Sequence, residues 1–506
     1  MATQALETAA SRIHDQGVAA IAIAVRNGEI CARDVLEVAI ARAQADGQRL
    51  GAIVHLDADA ARADADALDE RRRAGESLGA LAGVPVTIKD NIGQRGLPLT
   101  AGSKMLASYR SPWDASVVQR LRAAGAVPFG RTNLDEFGMG SSTETGKDGP
   151  CANPWDVAKV AGGSSGGAAV AVAVGAGALA LGTDTGGSVR LPAALCGVVG
   201  CKPTYGRVSR DGVVAYASSL EQVGLLGRRV ADVSLGLQAI AGVCEADSTS
   251  AQVPGHDHQD VRAEVTATTR IGVPRRFLDT LSGLAPSIRA RFAAALTTLA
   301  ETGCELVDVE LPNLGHAVAT YYIIATAEAS TNLSRYDGMR YGHRAAQRGR
   351  TASLTAASRA EGFGAEVQRR ILLGTFVLSS GYQEAYYSRA CKVRALLHAE
   401  VTAALTHCDA IAMPTAATTA WEIGSLVDDP LTLYAMDIFT VLANLVGAPA
   451  LSLPMPTLPA AGGPDALPAG LQLLGRPFEE ALLLGVGSAF EAQSGVSPLP
   501  GAGSQP

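Results

Sequence analysis

Between Lys159 and Asp184 the chain carries no charged side chain, and the run KVAGGSSGGAAVAVAVGAGALALGTDTGGSVR (159–190) sets two glycine-framed serine sites, Ser164-Ser165 and Ser188, on either side of an apolar stretch. A segment of that composition has to be buried. A flexible Gly/Ser linker would be followed by solvated residues, and here it is followed by AAVAVAV and ALALG. Ala168 to Gly182 also falls short of the roughly 20 residues a membrane helix needs. It therefore reads as a buried helix and strand that fix the separation of the two serine sites. Glycine beside serine lets the backbone approach a substrate closely and turn its N–H groups toward a developing negative charge, which suits an acyl-transfer nucleophile.

Around this run the texture alternates. Apolar residues at helical spacing mark Arg33 to Ala45, and Asp57 to Gly75 reads as an exposed helix rich in Ala, Asp and Arg. AGVPVTIKDNI, from about Leu81, reads as a buried strand running into a loop. A helix over Asp114 to Ala124 and strands at 126–133 and 178–184 continue the alternation, which predicts an α/β fold. Glu245 to Glu264 and Leu453 to Gly470 read as surface excursions, and no fixed-period repeat is present.

For 506 residues, length alone suggests two to four domains. The excursions are too short to force a boundary, so the expectation is one domain over 1–495. It comprises a helical region to about 75, a motif-bearing core at about 80–230, a remainder from 231, and a poorly ordered tail at 496–506. With 47% hydrophobic and 18% charged residues the chain is globular, and its net charge of −7 gives no basic footprint for binding nucleic acid unaided. Eight scattered cysteines without a CxxC pair or a Cys/His cluster read as reduced thiols of a cytoplasmic protein with no bound metal. The N-terminus lacks a basic n-region, and Val18 to Val25 is too short for a signal peptide or a span, so no membrane association is expected.

Which chemistry the serines serve depends on the base. No histidine lies between residues 56 and 255, which disfavours a Ser-His-Asp triad without excluding a distant imidazole. Gly162 to Gly166 spells a G-x-S-x-G elbow, but Asn153-Pro154 ahead of it reads as loop where the elbow needs a strand. Ala168 stands where a phosphate loop needs lysine, and Gly175-x-Gly177-x-x-Ala180 lacks the following acid of a dinucleotide site. A lysine can act as base if burial depresses its pKa. Lys89, at the end of VPVTI, is the candidate. An ion pair with Asp90 is the plain alternative, although neighbours on a strand point to opposite faces.

The motifs VPVTIKDN (84–91), GGSSGG (162–167) and GTDTGGSVRLPAALCGVVGCKPTYGRVS (182–209) resemble those of the amidase signature enzymes. The resemblance implies a large mixed β-sheet covered by helices on both sides. It also implies that Ser188 is the nucleophile, Ser164 a bridging serine held by a cis peptide bond, and Lys89 the terminal base of a proton relay. The oxyanion would be held by N–H groups of the Thr185, Gly186, Gly187 and Ser188 turn.

Segments at 130–156, 216–232, 332–344, 362–387 and 428–454 further resemble the A subunits of glutamyl-tRNA(Gln) amidotransferases, over nearly the whole chain. That likeness implies a glutaminase in a heterotrimer with the B and C subunits. Its ammonia would amidate Glu-tRNA(Gln), or Asp-tRNA(Asn), at the B subunit. ATP and magnesium would be used there and no cofactor in this chain, with tRNA met only through the complex. Glutamine would be held by Arg370, with Arg369 as an alternative, and by Asp437, together with Met139, Gly140 and Ser141. Leu191 departs from the glutamine common in those A subunits, and Gly146-Lys147-Asp148 is more charged than theirs. Leu191, together with a relay common to all amidase signature enzymes, leaves open a free-standing amidase acting on a small or aryl amide.

Overall fold

The computed structural model describes residues 2–255, 257, 268–346, 351–456, 466–496 and 500. Parts of both surface excursions and most of the expected tail lie outside the described residues. Eleven strands form one sheet: β1 (Ile53–Leu56), β2 (Pro85–Lys89), β3 (Val127–Thr132), β4 (Leu179–Asp184), β5 (Val199–Lys202), β6 (Gln222–Gly227), β7 (Arg270–Val273), β8 (Glu305–Asp308), β9 (Ala410–Pro414), β10 (Ala450–Pro454) and β11 (Gly470–Gly475). Their order is β1-β3-β2-β4-β6-β5-β10-β11-β9-β7-β8. β2 runs parallel to β3 and β4, and β7 parallel to β8 and β9, while the strands between pair antiparallel. The sheet is therefore mixed, as expected.

Every residue of β2, β3, β4, β6, β9 and β11 is buried. Successive strand residues face opposite ways, so full burial means that helices and loops cover both faces. This is why these strands read in the sequence as apolar runs rather than as an alternation. The uncharged stretch becomes the helix Gly166–Ala173 followed by β4, with every residue of both elements buried. No strand enters Ser164 directly, so the geometry of a G-x-S-x-G elbow is not present.

The helices at 32–42, 58–73 and 116–123 fall where periodicity placed them. The N-terminal region is not purely helical: β1 lies within it and pairs antiparallel with β3 at the sheet edge. Four residues are too few for an alternating pattern to stand out. The excursion placed at 453–470 likewise begins inside β10, which extends to Pro454. Among the described residues no helix is long and apolar enough to cross a membrane. All eight cysteines are free thiols.

Candidate active site

Because β3, β2 and β4 run parallel, their carboxyl ends open on one edge of the sheet, where ligands of such sheets commonly bind. Lys89 closes β2, the 133–146 loop leaves β3, and the 185–189 turn leaves β4. Lys89 is fully buried. Its Nζ lies within hydrogen-bonding distance of Ser164 Oγ and Ser165 Oγ, both at 2.8 Å, of Thr183 Oγ1 at 3.0 Å and of Thr183 O at 3.3 Å. All four partners are uncharged. Asp90, the plain alternative partner, is instead paired with Arg131 at 3.0 Å. Burial holds the Lys89 ammonium down to about 7, against the opposing pull of Glu221, Asp135 and Asp184. A neutral amine is thus well populated, and its lone pair can take the Ser164 proton.

The peptide bond Gly163-Ser164 is cis. Ser165 stands at the start of the helix Gly166–Ala173 and is tied to the backbone of Thr183, with Oγ 3.2 Å from Thr183 O. Ser164 has no such tether. The loop around it is clamped by Thr143, whose Oγ1 donates to Gly162 O at 2.9 Å and accepts from Gly166 N at 3.0 Å. Asp135 accepts from the N–H groups of Ser142, Thr143, Glu144 and Thr145. A Cβ on Gly163 would collide with that carboxylate, so no larger residue fits there.

Exposure grades along the three residues of the expected relay: 0% for Lys89, 1% for Ser164 and 8% for Ser188. The residue meant to meet the substrate is the most accessible. The Lys89–Ser164 link is made, while no hydrogen bond joins Ser164 and Ser188 among the described residues. Contacts of this kind are often loose without substrate and tighten when it binds.

The turn carrying Ser188 rests on a buried ion pair. Asp184 accepts from Gly187 N at 2.9 Å and Val189 N at 3.2 Å, and pairs with Arg190 at 3.0 and 2.9 Å. Arg190 donates further to Gln472 Oε1, Asn444 Oδ1 and Thr440 O. Burial would lift the Asp184 carboxyl, but Arg190 holds it at about 2. Contrary to the expectation for the whole turn, the Gly187 N–H is spent on Asp184, whereas those of Thr185, Gly186 and Ser188 carry no hydrogen bond among the described residues. Those three remain free to meet an oxyanion.

Arg370, on the helix Ala365–Val377, is buried, while Arg369 pairs with Glu366 at the surface. Arg370 donates to Glu366 Oε1 and Tyr216 OH, both at 2.8 Å, and its guanidinium carbon lies 5.1 Å from the Tyr322 ring centroid. Its Nη2 is buried with no partner. Asp437 accepts from Ser141 Oγ at 3.0 Å and from Tyr322 OH at 2.9 Å, and burial pushes its carboxyl up to about 7. Tyr322 thus touches both residues. Thr440, just beyond Asp437 in the chain, donates to Gly186 O at 2.6 Å, joining this cluster to the Ser188 turn. Met139 and Gly140 complete the loop that leads into Ser141, Met139 being fully buried and Gly140 packed on Asp135.

Leu191 lies in an apolar cluster with Leu195, Ala416, Ala420 and Leu467, and Lys147 pairs with its neighbour Asp148 at 2.6 Å. Each departure is satisfied locally. Sequence reasoning missed Asp135, Thr183, Asp184, Arg190, Tyr216 and Tyr322. A signal existed for two of the charged ones: Asp184 and Arg190 sit in a segment otherwise dominated by glycine, small and apolar residues, where an isolated charge has to find a buried partner. The tyrosines gave none, since their partners are distant in sequence.

The sequence matches the Amidase family model over residues 34–484. It is 48% identical over 472 residues to the A subunit of glutamyl-tRNA(Gln) amidotransferase from Synechococcus sp. (strain CC9311), covering 93% of this chain and 96% of that protein. The crystal structure of the glutamyl-tRNA(Gln) amidotransferase A subunit from Thermotoga maritima superposes with a TM-score of 0.76 at 38% identity, covering 93% of this chain and 94% of that one. The native peptide amidase from Stenotrophomonas maltophilia superposes at 0.79 with 31% identity, covering 96% and 99%.

Proposed function

The chain belongs to the amidase signature family, and on that premise we propose that it is the glutamine-hydrolysing A subunit of a tRNA-dependent amidotransferase. The observation that carries this reading is the 48% identity to such a protein over nearly the full length of both chains. The side chains support it. Arg370, with one buried Nη lacking a partner, suits an α-carboxylate, and Asp437, with a carboxyl lifted by burial, suits an α-ammonium. A substrate carrying both charges on one carbon, and an amide further along, matches glutamine.

In the reaction we propose, neutral Lys89 takes the Ser164 proton as Ser164 takes that of Ser188. Ser188 Oγ then bonds to the amide carbon, with the oxyanion facing the free N–H groups of Thr185, Gly186 and Ser188. The proton returns along the same path to the amide nitrogen as the C–N bond breaks, releasing ammonia and leaving a γ-glutamyl ester. Water then attacks the ester, passing its proton through Ser164 to Lys89, and that proton returns through Ser164 to Ser188 Oγ as the ester C–O bond breaks and glutamate leaves. The ammonia would serve partner proteins that amidate Glu-tRNA(Gln) or Asp-tRNA(Asn), with ATP and magnesium used there.

Coexpression with the B and C subunits tests this. The expected result is a co-purifying complex that forms Gln-tRNA(Gln) from Glu-tRNA(Gln) with glutamine as donor, and loses that activity on Ser188→Ala while retaining it with ammonium chloride. A chain that forms no complex, or a Ser188→Ala complex still using glutamine, refutes it.

A further inference from the structure

Asp135 and Glu136 are adjacent in sequence and face two different parts of the site. The Asp135 N–H donates to Ser164 O at 3.3 Å, so this turn touches the backbone of the bridging serine. The Glu136 side chain points the other way. It is 3% exposed, and Oε2 accepts from Gly364 N at 2.8 Å while Oε1 accepts from Ser103 Oγ at 2.5 Å. Gly364 is the N-cap of the helix Ala365–Val377, which carries Glu366 and Arg370. Beside this contact, the Phe137 ring packs edge-on against Phe363 at 5.7 Å between centroids.

A carboxylate at a helix N-terminus is favoured by the partial positive charge of the unpaired N–H groups. Here the acid comes from a distant segment, so it fixes where the helix begins relative to the Ser164 loop. Arg370 lies six residues beyond Gly364, about 9 Å along the helix axis. A shift or tilt at the cap is therefore carried to the guanidinium. Glu366, in the first turn, moves with it and holds Arg370 Nε.

We infer that Glu136 is a positioning residue for substrate recognition: by anchoring the start of the Arg370 helix to the turn that touches Ser164, it sets the distance between the carboxylate clamp and the relay. This rests on the reading of Arg370 as the clamp for the glutamine α-carboxylate. Glu136 touches no reacting atom, so it acts on KM through Arg370 and leaves the chemical step largely alone.

The test is a double-mutant cycle in the co-purified amidotransferase complex, reading glutamine hydrolysis. Glu136→Met keeps the length of the side chain and removes both acceptors, leaving the Gly364 N–H without its partner. It should raise KM for glutamine about tenfold, the scale of one buried donor left without a partner, and change kcat less than about threefold. In an Arg370→Lys background, where the clamp is already lost, the same substitution should change KM less than about twofold, because two residues acting through one contact are not additive. An unchanged KM in the wild-type background, or an equal effect in both backgrounds, overturns the inference. Should Glu136→Met not fold, Ser103→Ala in the same cycle gives the same pattern at smaller amplitude, with the same outcomes refuting it. A wild-type complex unable to hydrolyse glutamine would instead refute the proposed function.

Discussion

Replacing Lys89 with methionine should slow catalysis severely and stabilise the fold at neutral pH. Burial lowers the Lys89 pKa from its ordinary 10.5 to about 7. At about 1.4 kcal/mol per pH unit the full displacement corresponds to about 5 kcal/mol. At pH 7, where the folded-state amine is half protonated, about 4 kcal/mol of it weighs against folding. The folded pKa lies below the unfolded one, so the folded chain holds fewer protons between pH 7 and 10.5, and wild-type stability rises across that window. Below 7 the whole penalty applies, and above 10.5 it is gone. Methionine removes the charge at similar length but forfeits the Lys89 hydrogen bonds, each worth about 1 kcal/mol net. An ammonium has three N–H groups to lose, so the balance at pH 7 is about 1 kcal/mol in favour of the variant. Scanning calorimetry from pH 6 to pH 10 should show the variant melting higher at neutral pH, with the gap closing as pH rises. A variant no more stable than wild type at pH 7, or a gap that widens with pH, would refute the reasoning. In parallel, kcat for glutamine should fall by about 10²–10⁴. Wild-type acylation, tracking the neutral amine, should climb about tenfold from pH 6 to pH 8.

Two further substitutions separate recognition from support. Arg370→Lys loses the bidentate fork and the bond to Tyr216, and should raise KM for glutamine about 10- to 100-fold with kcat within a few-fold; steady-state kinetics check this, and an unchanged KM would place the clamp elsewhere. Arg190→Met leaves the Asp184 carboxylate buried without its cation and should cost about 3–5 kcal/mol, seen as a large drop in melting temperature. Ser188→Ala, by contrast, should melt close to wild type.

Legibility in the sequence followed chain distance. β2 and β4 could be placed because strands buried on both faces show as apolar runs, and Lys89 stood out as a charge closing one of them. The two serine sites were visible because glycine framed them. β1 was missed because four edge residues carry too little pattern. The relay and recognition residues were assigned by resemblance to known motifs. The contacts that hold them had no local signature, since Tyr322 lies 115 residues from Asp437 and Arg190 lies 282 from Gln472. The resemblance assigns the Gly187 N–H to an oxyanion, but the acid three residues earlier claims it first. A short acidic residue just ahead of a glycine turn is itself a reason to expect that competition.

The Asp184–Arg190 pair changes how the segment GTDTGGSVR should be read as a motif. Only one of its letters, Ser188, supplies an atom proposed to form a covalent bond with substrate. The acid and the arginine hold the turn in place, and the two central glycines give way to Thr440 and the Tyr321 ring, which occupy the space their side chains would need. Selection for a folded chain alone would therefore preserve nearly the whole string. A descendant that had abandoned catalysis could drop the serine and still match its relatives almost letter for letter, so within this motif the identity at position 188 tells an enzyme from an inactive copy.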